Sequence, residues 1–196
     1  MAESSHFARL LRSRAAWLVL RFAVVYGALS WLAAVLPVYA ELERPLVATA
    51  NAFLRESPGE SRALSFERSG AGGTYLYELR VAESARRVER DMHAHGFVAL
   101  LFGALVLATP WLGARRFAAA FAGGAALTGA VCLLMLMVDV AGWENEARAA
   151  LNLAPGARPF SLPVGFAAGL HQTAAAGLLP IVYWALVAVR PDARRA

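Results

Sequence analysis

"RDMHAHGFVALLFGALVLATPW", residues 90 to 111, passes directly from a charged stretch holding two histidines into an uninterrupted apolar run. That run decides the fold class. A helix needs about 20 mostly apolar residues to cross a hydrocarbon core about 30 Å thick, and Gly96 to Gly113 approaches that length. Three further stretches are of the same kind: Ala16 to Val38, Phe117 to Ala141 and Pro163 to Val189. All are continuously apolar rather than alternating, which favours helices with internally satisfied backbones over barrel strands.

The composition agrees. Of 196 residues 59% are hydrophobic and only 17% charged, too apolar for an ordinary soluble domain. The net charge is +5, and every basic residue is an arginine. Their placement speaks for membrane topology and against a nucleic-acid partner. Arg9, Arg12, Arg14 and Arg21 precede or open the first span, Arg115 and Arg116 fall in the turn between the second and third, and Arg190, Arg194 and Arg195 follow the fourth. The positive-inside rule puts these groups, and both termini, in the cytoplasm.

The expected organisation follows. Residues 1–38 form a cytoplasmic amphipathic flank and transmembrane helix 1, and 39–95 an extracytoplasmic loop or cap. Residues 96–141 hold helices 2 and 3, 142–162 a second outer loop, and 163–196 helix 4 with a basic cytoplasmic tail. The first span has a basic start and a V-Y-A ending, yet it is longer than a signal peptide's 7–15-residue apolar region and Arg21 interrupts it, so an uncleaved anchor is expected.

Within the outer loop Leu46, Val47, Ala50, Phe53 and Leu54 recur at helical spacing with Pro45 in a first turn, the pattern of an interfacial helix. "RALSFER" and "TYLYELRVAES" flank the flexible "SGAGG" and alternate in polarity, which predicts a hairpin with one apolar face. An isolated hairpin is marginal in water, so that face covers its own bundle, lies on lipid or docks a partner. "ESARRVERDMHAHGF" has the charge mixture of a solvated helix running into the second span. The expected fold is therefore an all-α membrane protein, a four-transmembrane-helix bundle with a small outward-facing cap of interfacial helix plus β-hairpin.

Four residues are candidate metal ligands: His93, His95, Asp139 and His171. Histidine and carboxylate suit zinc or a similar ion. His93 and His95 are two apart, roughly 200° around a helix, so they converge only on non-helical backbone; marking the water boundary is the preferred reading. His171 lies about 12 Å deeper than Pro163 at the helical rise, away from the outer pair. Ionisable groups at such depth are functional candidates. Cys132, the only cysteine, excludes an internal disulfide and sits in "AVCLLMLMV", where nothing activates a thiol. Gly123, Gly124, Thr128 and Gly129, with Gly165 and Gly169, are small enough for close helix contacts. No catalytic residue and no cofactor is assigned.

"RFAVVYGALSWLAAVLPVYAELERPLVATANAFL", an outer β-like segment, then "HGFVALLFGALVLATP" and a two-arginine turn resemble the exosortase-associated small integral membrane proteins of bacteria, over about the first two thirds of the chain. The resemblance implies a multi-pass protein of the bacterial inner membrane working beside a cysteine transpeptidase that processes C-terminal sorting signals. It brings no catalytic motif, and an exosortase's own cysteine, arginine and histidine pattern is missing from this sequence. The functional expectation is a non-enzymatic accessory or assembly protein of an envelope machine, of the exosortase-sorting or polysaccharide-export kind. Its partners would be membrane lipids and a larger membrane protein or further copies of itself. The alternative is a membrane-embedded enzyme or metal-binding protein using the four ligand candidates near the outer face; a small transporter is third.

Overall fold

Helix α4, Ala114–Ala150, is the axis on which the rest is assembled. Its 37 residues rise about 55 Å at the helical pitch, more than a bilayer core requires. The computed structural model describes residues 2–36, 38–54, 57–69, 72–91, 94–109, 113–155 and 175–188. Before α4 come α1 (Ala2–Val35), α2 (Val38–Phe53), strands β1 (Glu60–Ser69), β2 (Gly72–Val81) and β3 (Ser84–Asp91), and α3 (Ala94–Leu107); α5 (Ala175–Ala188) follows it.

The four-helix, all-α expectation is overturned. Among the described residues there are five helices and a three-stranded antiparallel sheet, ordered β1-β2-β3. Two helices are long and apolar enough to cross a membrane: α1 through Ala16–Ala33, and α4. Helix α3 has 14 residues, about 21 Å of rise, short of the core thickness. It stops at Leu107 because the ring of Pro110 disfavours helical backbone at the residue before it. The described part of the fourth expected span is α5, also 14 residues, and residues 163–174 lie outside the described residues. Arg115 and Arg116 stand in the first turn of α4 rather than in a loop.

The cap differs as well. The stretch expected as a solvated helix is strand β3, paired with β2 in the register Val81↔Ser84 to Thr74↔Asp91, so the hairpin is a three-stranded meander. Ala82 and Glu83 form the tight connection, with Ala82 at a φ of 52°, a region costly for a residue with a Cβ. Helix α2 begins seven residues before Pro45, which therefore lies inside it. The ring leaves the carbonyl four residues earlier without its helical donor.

The sheet's apolar face lies on the protein itself. Tyr75, Tyr77 and Leu79 of β2 alternate inward, each 0% exposed, and meet Leu64 of β1, Val88 of β3, Val47 and Ala50 of α2, and Leu136, Met137, Val140, Trp143 and Ala147 of α4. Tyr75 stacks obliquely against Trp143, with ring centroids 5.8 Å apart. So the apolar face of α4 from Leu136 to Ala147 is buried by the cap rather than left for lipid. Each fully buried side chain of this size contributes roughly 1.5–3 kcal/mol, which offsets the marginal stability of the meander alone.

Helix α1 has the opposite character. Trp17, Val19, Leu20, Val24 and Trp31 are all at least half exposed along it, the surface a lipid-facing helix presents. Arg21, interrupting the apolar run, lays its guanidinium over the Trp17 ring at 4.4 Å, a contact that shields the charge.

Candidate functional site

Two polar centres are built where α4 meets the cap. The first is a closed ring of charge. Glu60 opens β1 and Arg62 follows on the same strand face, while Glu144 and Arg148 are one turn apart on α4. Arg62 Nη2 reaches Glu60 Oε2 at 2.6 Å and Glu144 Oε1 at 3.2 Å. Arg148 donates through Nε to Glu144 Oε1 and through Nη2 to Glu60 Oε2, both at 2.6 Å. Charges thus alternate around four residues and sum to zero. The Glu144, Arg62 and Arg148 side chains are 1%, 3% and 8% exposed and Glu60 21%. Tyr77 donates its hydroxyl to the other oxygen of Glu144. Burial raises the carboxyl of Glu60, but the hydrogen bonds and charges of Arg148 and Arg62 outweigh it and leave the group below the usual carboxylate range. Every member uses its partners for folding, so the ring has the chemistry of a clamp.

The second centre joins α2 to β2. Glu43 is 3% exposed, and Tyr75 donates its hydroxyl to Glu43 Oε2. Burial holds the Glu43 carboxyl above the ordinary range, against the lowering effect of the Tyr75 hydrogen bond. Burial and the neighbouring Glu43 push the Tyr75 phenol upward, so burial disfavours the charged form of both groups. Glu43 also lines an open cavity of about 580 Å³ between α2, α3 and α4, whose other walls include Leu100, Phe121, Thr128, Gly129 and Cys132.

The expected ligand candidates do not come together. His93 and His171 lie outside the described residues, and only the backbone of His95 is described, in the first turn of α3. Asp139 is half buried on α4 and close enough to Tyr75 to oppose ionisation of the phenol. Among the described residues no group of three or more histidines, cysteines, aspartates or glutamates is placed to hold a metal ion. Cys132 is buried, 3% exposed, on the cavity wall.

Sequence reasoning passed over Glu43, Glu60, Arg62, Glu144 and Arg148. A signal for the α4 pair was present: Leu136, Val140, Trp143, Glu144 and Ala147 continue one face of the helix. The alternation that turned Tyr75 and Tyr77 inward also put two hydroxyls in need of partners there. Comparison of the chain with protein-family models, with curated proteins and with solved structures finds no match in any of the three.

Proposed function

We propose that the chain is a multi-pass protein of the bacterial inner membrane with an extracytoplasmic cap, and that it acts without chemistry of its own as an accessory or assembly factor for a larger envelope machine. The observation that supports this reading is the charge ring. It fastens a sheet, on which a partner can be received, to the helix that enters the membrane. A rigid connection of this kind suits a protein that holds a docking surface in place. In the ring all four side chains are engaged with one another. An exosortase-type sorting system or a polysaccharide-export system is the kind of machine this arrangement suits.

Two measurements test the proposal. A reporter active only outside the cytoplasm works when fused after Gly70 and fails after Arg116; activity at Arg116 overturns the topology. Affinity purification of the full chain in mild detergent, after mild cross-linking, recovers one larger membrane protein in near-stoichiometric amount. Purification as a lone species carrying stoichiometric metal that disappears in a His93→Gln, His95→Gln double variant would favour the metal-binding alternative instead.

A further inference from the structure

The cavity between α2, α3 and α4 contains a polar group with nothing to bond. Thr128 is 4% exposed, lines the cavity, and its Oγ1 has no hydrogen-bond partner among the described residues. Threonines elsewhere in these helices follow the usual alternative: Thr49 donates to the Pro45 carbonyl and Thr109 to that of Leu105, each at 2.7 Å. A buried hydroxyl left unpaired is unfavourable, so the cavity is shaped to receive an acceptor there.

Helix contacts fix the depth. A side chain at Gly103 would rest 3.8 Å from Leu29 of α1, and the neighbouring Phe102 packs its ring on Gly124 of α4. Gly124 is therefore level with Leu29. Thr128 is one turn, about 6 Å, further toward the cap, level with the last turn of α1 before Val35. That is the outer edge of the apolar span. Below Thr128 the wall is apolar, through Ala125 and Phe121. Among the described residues no arginine lines the cavity to hold a phosphate.

We propose that this cavity takes one acyl chain of an ester lipid from the outer leaflet, its ester carbonyl accepting the hydrogen bond of Thr128 and its headgroup phosphate remaining outside. The volume is within the range of specific small-molecule sites, about 300–1,000 Å³. The site goes beyond the accessory reading but rests on the membrane placement of α1 and α4. Gly129 supplies the means of closing it, since a Cβ there would meet nothing within 4 Å.

The test uses the full chain in nanodiscs of phosphatidylethanolamine and phosphatidylglycerol, doped with a phospholipid carrying a diazirine near the end of one acyl chain. After irradiation, labelled peptides are mapped by mass spectrometry. Label is expected on the cavity walls of α3 and α4, falling at least fivefold in Gly129→Leu while label on the exposed face of α1 stays constant. A dialkyl ether probe without ester carbonyls should label the wild-type cavity several-fold less than the ester probe, and Thr128→Val should abolish that difference. The proposal is overturned by cavity labelling that Gly129→Leu leaves unchanged, by equal labelling with ester and ether probes in the wild type, or by stronger labelling with an isoprenoid diazirine. Absence of label on α1 would remove the membrane placement itself, and the site with it.

Discussion

Tyr77, at the centre of the middle strand, gives its hydroxyl to Glu144, a residue 67 positions later in the last two turns of α4. The bond puts the sheet and the spanning helix into one polar framework.

Breaking that framework at its most buried member should be expensive. Glu144→Gln leaves Arg62 and Arg148 facing each other around a neutral amide, and removal of one partner from a buried pair costs about 3–5 kcal/mol. Replacing Glu144 and Arg148 together by leucine should cost less than the single change, because Glu60 and Arg62 remain paired. Unfolding curves in detergent, followed by near-ultraviolet circular dichroism, compare the two.

Two carboxyls outside the spanning segments, Glu43 and Glu60, respond to pH with opposite signs. Glu43 has its folded-state pKa raised by burial, so its contribution is fully present below the ordinary carboxylate value and is lost as pH rises through the elevated one. Glu60 is lowered by Arg148 and Arg62 against the effect of its burial; its contribution is present above the ordinary value and is lost as pH falls through the depressed one. Melting temperatures measured across acidic to neutral pH should lose the upper slope in Glu43→Gln and the lower slope in Glu60→Gln. Unchanged slopes in both variants would contradict these assignments.

Three glycines on α4 should respond differently to alanine. At Gly124 a Cβ would collide with the buried Phe102 ring, and overpacking of this kind costs about 1–3 kcal/mol. At Gly123 the obstacle is the hydroxyl end of Tyr183, which can swing aside by giving up its 3.3 Å bond to the Ala119 carbonyl, so the net effect should stay within about 1 kcal/mol. At Gly129 nothing is met, and alanine should stabilise by up to about 1 kcal/mol through helix propensity. Thermal melts of the three variants rank them.

Ala82→Gly relieves the positive φ in the β2–β3 connection and should stabilise by about 1 kcal/mol. Faster hydrogen exchange in β3, instead of slower, would refute this.

The same connection explains why β3 was invisible in the sequence. A two-residue hairpin turn is normally announced by glycine or asparagine, and Ala82-Glu83 announces nothing. Val88 is the one buried residue of that strand, so there is no alternation to see, while its arginines and glutamates fall at three- and four-residue spacings that imitate a solvated helix. The first two strands were legible because Leu64, Tyr75, Tyr77 and Leu79 alternate strongly and all point inward. Hydropathy picked out α1 and α4 as long apolar helices but could not tell which part of α4 the sheet covers, since sheet and lipid select the same apolar residues. The charge ring stayed hidden because Glu60 and Arg62 precede Glu144 and Arg148 by more than 80 positions, and each pair alone reads as ordinary surface.

Asn51 has a consequence for neighbouring copies of the protein. Its amide nitrogen donates to the Leu64 carbonyl at 2.7 Å and its oxygen accepts the Leu64 N–H at 3.0 Å, occupying both main-chain groups midway along the outer side of β1. On the other margin of the sheet β3 presents Arg86, Arg87, Glu89 and Arg90, all exposed. Proteins confined to a plane meet one another side-on and repeatedly, the geometry in which open strands fuse. With one margin stopped by an amide and the other lined with charge, crowding in two dimensions gives these caps no backbone seam along which to zip together.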